Sequence, residues 1–94
     1  MRISPDQTHI ICKQIHQHLG SSATIWLFGS RVNDHKKGGD VDLYVEAGPH
    51  ALLDEIRCKI ELEEILDMPV DLIVRRPFDD SLIANIAKGQ GLKL

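Results

Sequence analysis

Asp40 and Asp42, two residues apart, and Asp71, inside the apolar run Val70-Asp71-Leu72-Ile73-Val74, are the residues with the most chemistry to offer. Acids at i and i+2 on a strand point to the same face. A third acid on a neighbouring strand completes an oxygen cage. Such a cage suits Mg²⁺, a hard cation that takes few carboxylates and fills its remaining positions with water and substrate phosphates. Upstream, Gly29-Ser30-Arg31 supplies a backbone that can approach closely, free N–H groups and a hydroxyl, which is what a triphosphate needs. Together the parts read as metal-assisted nucleotidyl transfer.

Each part has a plainer explanation. Asp40 follows Gly38-Gly39 and could be a turn acid. Asp42 could lie on a solvated face, and a lone D-x-D is common. Gly-Ser is a frequent dipeptide. Arg31 is either a phosphate clamp or a solvated arginine. The spacing between the pieces outweighs these readings, because an acid in the middle of an apolar strand costs free energy unless it is paired or metal-bound. Asp40 and Asp42 are expected to hold two ions, or one shared ion. Asp71 is expected to bind the second ion or to act as general base.

The elements that must position these residues are legible as an α-β-β-α-β-α pattern. Ser4-Pro5-Asp6-Gln7 is a helix start with a capping box, and Ile11, Ile15 and Leu19 follow at helical spacing to Gly20. Strands are expected over 23–28, 40–46 and 70–74. A long helix runs from Pro49 to about Asp67. A last short helix is capped by Asp79 or Asp80 and ended by Gly89, and Gly91 to Leu94 adds a terminal strand. The fold class is therefore α/β (α+β): a small mixed sheet with helices packed on one face. Alternation places Ile25, Leu27, Val41, Leu43, Val45, Val70, Leu72 and Val74 on the helix-covered face. Trp26, Phe28, Asp40, Asp42, Tyr44, Asp71 and Ile73 share the other. All three acids fall together with no register shift.

The long helix has two apolar stripes. Cys58, Leu62, Ile65 and Leu66 form one, and Leu53, Ile56 and Ile60 the other. Only one can face the sheet squarely, so the second meets a neighbouring helix or a partner. Trp26, Tyr44 and Ile73 raise the same question, and an exposed docking patch is expected for at least one of these sets. His9, Cys12 and His16 lie within two turns, but three ligands on one short helix rarely converge, so a core cysteine with two surface histidines is expected.

With 94 residues the chain is read as a single domain, 1–94. Hydrophobic residues make up 43%, ordinary for a globular protein. There is no apolar run of membrane-spanning length and no signal-peptide pattern, and the two cysteines read as reduced thiols, so a cytoplasmic location is expected. A net charge of -3 speaks against a direct nucleic-acid footprint and leaves metal to neutralise an anionic nucleotide. There is no nucleophile elbow, no Walker-type phosphate loop and no paired C-x-x-C.

Gly29-Ser30-Arg31, Asp40-Val41-Asp42-Leu43 and Val70-Asp71-Leu72-Ile73-Val74 resemble the minimal nucleotidyltransferases of the DNA polymerase beta-like superfamily, over nearly the whole chain. The resemblance implies a four-stranded nucleotidyltransferase core, Mg²⁺ dependence and a nucleoside triphosphate donor. It makes Asp40, Asp42 and Asp71 the metal-binding acids and Gly29 and Ser30 the phosphate-binding pair. Short members of that family are encoded beside a helical HEPN-domain protein. The resemblance thus implies an antitoxin that moves AMP from ATP to a tyrosine of a HEPN ribonuclease. Two other functions remain open: neutralisation of the toxin by binding alone, and transfer to a small molecule. The small-molecule reading is disfavoured because the chain lacks the helical acceptor-binding domain of larger superfamily members.

Overall fold

The computed structural model of the protein describes residues 4–28 and 41–94. Helix α1 (Pro5–Leu19) begins as its sequence dictates. Ser4 Oγ accepts from Gln7 N at 3.1 Å, and Ser4 N donates to Gln7 Oε1 at 2.9 Å. It stops at Gly20, whose φ of 107° belongs to glycine and whose N–H bonds to His16 O. Ile11, Ile15 and Leu19 form its buried stripe.

Strand β1 (Thr24–Phe28) leads into β2 (Val41–Glu46), then helix α2 (Leu52–Leu66), strand β3 (Val70–Arg75), helix α3 (Leu82–Gln90) and the short β4 (Leu92–Lys93). The four strands lie in the order β3-β2-β1-β4. β1 is antiparallel to β2 and β4, while β2 and β3 run parallel. A parallel pair needs a long crossover, and α2 supplies it. The sheet is mixed, as its sequence suggests.

Its two faces are covered differently. Ile25, Leu27, Val41, Leu43, Val45 and Val70 join the buried stripe of α1 and Cys58, Leu62 and Leu66 of α2 in one core. Leu72 and Val74 pack at its margin. The expected placement of all helices on that face needs a correction for the third. Ala84 and Ala87 of α3 are buried with Tyr44 on the opposite face, where Trp26, Phe28 and Ile73 pack against them. The alanines are small enough to let a helix settle closely over three aromatics, so this set is core and not a free patch.

Element ends moved where a better cap lay nearby. Helix α3 starts at Ser81, whose hydroxyl accepts from Ala84 N, rather than at Asp79 or Asp80. Asp79 instead accepts from Ser81 N and Ser81 Oγ. The helix passes Gly89 and ends at Gly91, where a Cβ would collide with Ala87 O and stand 2.9 Å from Leu27 O. Helix α2 starts later than Pro49, with Ala51 N held by Asp54 Oδ2 at 3.1 Å. Ile65 leaves its expected stripe and is half exposed, as are Leu53, Ile56 and Ile60. Both cysteines are free, and burial pushes the Cys58 thiol up to about 12. Among the described residues no helix is long and apolar enough to cross a membrane.

Candidate active site

Parallel pairing of β2 with β3 puts Asp42 and Asp71 at matched register positions. Matched positions on adjacent strands lie about 5 Å apart and point to one face. Asp42 is half-buried and Asp71 is exposed at the sheet's edge. Phe28, the residue before Gly29, is the cross-strand partner of Asp42. Val41, the residue after Asp40, pairs with Val70. The described chain therefore leaves the sheet at Phe28 and re-enters it at Val41, both within one register step of Asp42. Gly29, Ser30, Arg31 and Asp40 themselves lie outside the described residues. So do Lys36 and Lys37.

Two carboxylates side by side are a hard oxygen donor set, which fits Mg²⁺ and not a soft metal. No group of three or more His, Cys, Asp or Glu side chains that could hold a metal occurs among the described residues. His9, Cys12 and His16 accordingly do not converge; His16 Nε2 lies 3.0 Å from Ala23 O instead.

Sequence reasoning missed the buried polar network beneath the acids. Tyr44, fully buried two residues on from Asp42, stacks at a tilt on Trp26 with ring centroids 5.7 Å apart. Its hydroxyl donates to Glu46 Oε2 at 2.9 Å. Lys88 of α3 donates to the same oxygen at 2.7 Å, and Phe78 N donates to Glu46 Oε1 at 3.2 Å. Burial pushes the Glu46 carboxyl up, but bonds from Lys88, Tyr44 and Phe78 outweigh it and hold the group below its ordinary range. Burial and the neighbouring Glu46 raise Tyr44, so it stays neutral. The network clamps α3 and the Phe78 turn onto the face that carries Asp42. Its sequence signal was present but faint: Asp42, Tyr44 and Glu46 share one i, i+2 row, and Lys88 follows Ala84 by one turn, on the side of the helix that carries the two alanines.

A cavity of about 790 Å³ opens at the other end of β2 and β3, lined by residues including His50, Glu55, Arg75 and Arg76. It does not include the acids. His50 there stands between Gly48 O, 2.7 Å from Nδ1, and Glu55 Oε2, 2.6 Å from Nε2. Both partners accept, so they favour the doubly protonated ring and raise its pKa, first Gly48 and then Glu55.

Known proteins resemble this chain in sequence and in fold. Residues 10–93 match the model of the nucleotidyltransferase domain family. Over 49 residues the chain is 45% identical to a protein of Methanocaldococcus jannaschii named "Putative protein adenylyltransferase", a match covering 50% of this chain and 53% of that protein. The chain thus spans about half the length of this curated relative. Two crystal structures of mutants of the toxin-antitoxin MntA-HpeT are similar in fold. One has a TM-score of 0.73 at 24% identity, covering 93% of this chain and 69% of that one. The other has a TM-score of 0.75 at 23% identity, covering 93% and 70%.

Proposed function

We propose that this chain, which belongs to the nucleotidyltransferase domain family, is a Mg²⁺-dependent enzyme that moves AMP from ATP to a hydroxyl of a partner protein. The acceptor is a tyrosine of a HEPN-type ribonuclease toxin, and the chain acts as its antitoxin. The observation that carries the reading is the matched register of Asp42 and Asp71 on one face. The adenylyltransferase name of the M. jannaschii relative supports the reaction. The toxin-antitoxin neighbours support the setting.

Asp40, Asp42 and Asp71 would hold Mg²⁺, which supplies charge neutralisation at the phosphates and a lowered pKa at the attacking hydroxyl. Gly29 and Ser30 take the β- and γ-phosphates through backbone amides and the Ser30 hydroxyl. Arg31 adds a planar fork of donors. The acceptor oxygen bonds to the α-phosphorus, the bond from that phosphorus to the α–β bridging oxygen breaks, and pyrophosphate leaves. Asp71, exposed at the edge, is open to an incoming hydroxyl and takes its proton. Tyr44, Glu46 and Lys88 touch no substrate in this scheme; they position the strand that bears Asp42.

The test is incubation of the purified chain and its toxin with α-labelled ATP and Mg²⁺. Label on a toxin tyrosine, with loss of ribonuclease activity, is the expected outcome. A toxin that is neutralised but carries no label would replace the enzyme with a binding module.

A further inference from the structure

Strand β3 is an edge of the sheet, with β2 its one neighbour among the described residues. The ladder shows which of its groups face outward. Val41 N donates to Pro69 O, and Ala47 N donates to Arg75 O, both at 3.0 Å. Odd-numbered residues of this strand therefore aim at β2. In a strand a residue's N–H and C=O point to the same side, so Leu72 and Val74 present theirs to the free edge. Two contacts agree. Val70 N turns outward to Glu63 Oε2 at 2.9 Å, and among the described residues Val74 O receives only its neighbour's guanidinium, at 3.5 Å.

We propose that this edge pairs with the same edge of a second copy of the chain, antiparallel about a two-fold axis at Ile73. Centred there, Leu72 of one copy meets Val74 of the other, twice. Their outward groups form four N–H···O bonds and join two four-stranded sheets into one. The same register places Asp71 opposite Arg75 of the second copy, again twice, on the other face. Both side chains are exposed. Charge complementarity selects this register. An axis at Leu72 would oppose Asp71 to Ile73 and would need Val70 N, already taken by Glu63. An axis at Asp71 would set two carboxylates against each other.

The helix face agrees with the pairing. Leu52 and Ile56 of α2 border a groove with Leu72, and they are 70% and 45% exposed. The two-fold brings this stripe against its own copy, which covers apolar surface that the single chain leaves open. Among the described residues Arg75 has one ion contact of its own, a 3.6 Å approach of Nε to Asp79 at half exposure, weak enough to leave the guanidinium for the second copy. The second copy's Arg75 then stands beside the acid face, so assembly and the candidate site share Asp71. The pairing itself does not depend on the transferase reading.

Sedimentation of the full chain alone is the test, with circular dichroism as the control for folding. The expected species has twice the mass of the 10.6 kDa chain. Arg75→Glu is expected to weaken the dimer roughly tenfold or more by opposing like charges. The exchange Asp71→Arg with Arg75→Asp is expected to restore it. Ile73→Cys in a Cys12→Ser background is expected to form an intermolecular disulfide under mild oxidation, because the two-fold puts the paired Cα atoms within bridging distance. That cross-link decides the matter if Arg75→Glu fails to fold. A chain that stays monomeric at high concentration overturns the proposal, as does a dimer in which Ile73→Cys forms no disulfide.

Discussion

Replacing Lys88 with Met should destabilise the protein, and the loss should depend on pH in a way that identifies its cause. Glu46 is 8% exposed and accepts from three donors, of which Lys88 is the only charged one and the nearest at 2.7 Å. Removing one partner of a fully buried pair costs about 3–5 kcal/mol. A hydrogen bond to a charged group is worth about 1.5–3 kcal/mol. The Lys88 side chain is 27% exposed, so water reaches that end, and Tyr44 and Phe78 remain as donors. The expected loss at neutral pH is therefore about 2 kcal/mol, or roughly 8–16 °C in melting temperature for a domain of this size. In the wild type the Glu46 pKa lies below its ordinary value of 4.5. Its contribution is present above that value and is lost as pH falls through the folded pKa. Without Lys88 two of the influences that lower the pKa are gone, so the pKa rises toward what burial favours, and acid neutralises Glu46 and relieves the variant more readily. Melting followed by circular dichroism at pH 7 and pH 4 checks this. A loss below about 0.5 kcal/mol at pH 7, or an equal loss at both pH values, would refute the reasoning.

Three further outcomes follow from particular contacts. Gly91→Ala should cost about 1–3 kcal/mol in denaturant titration, because its Cβ meets the backbone carbonyls of Ala87 and Leu27, which cannot both retreat. His50→Ala should cost most below pH 6.5 and less as pH rises. The folded pKa is raised above that ordinary value, so its stabilisation is lost as pH climbs through the folded pKa; an equal cost at pH 6 and pH 9 would contradict the two-acceptor geometry. Asp40→Asn with Asp42→Asn should abolish AMP transfer while leaving a cooperative melt, and full activity in that variant would end the enzyme reading.

Much of the site's frame is written in local sequence pattern. Period-two alternation put Asp42 and Asp71 on one face, and the parallel register of β2 and β3 bears this out. The Ser4 cap and the Ile11, Ile15, Leu19 stripe needed only local rules. What was not readable depended on choices between nearly equal local signals or on distant partners. Ser81 beats Asp79 as a cap because Asp79 is recruited to support the turn. Helix α3 crosses to the acid face because Ala84 and Ala87 fit over Tyr44, and alanines carry little hydrophobic signal of their own. Glu46 and Lys88 lie 42 residues apart and meet only through that crossing. Gly29, Ser30 and Arg31 on the phosphate side, and Asp40 among the acids, lie outside the described residues, and their roles rest on the sequence.

Transfer as proposed requires the acids of β2 and β3 to act together on a divalent ion. Mn²⁺ titration followed by electron paramagnetic resonance, with ATP present, measures this directly in the wild type, Asp42→Asn and Asp71→Asn. The expected result is saturable binding that each substitution weakens by roughly tenfold or more. Unchanged affinity in both variants would show that these carboxylates hold no metal.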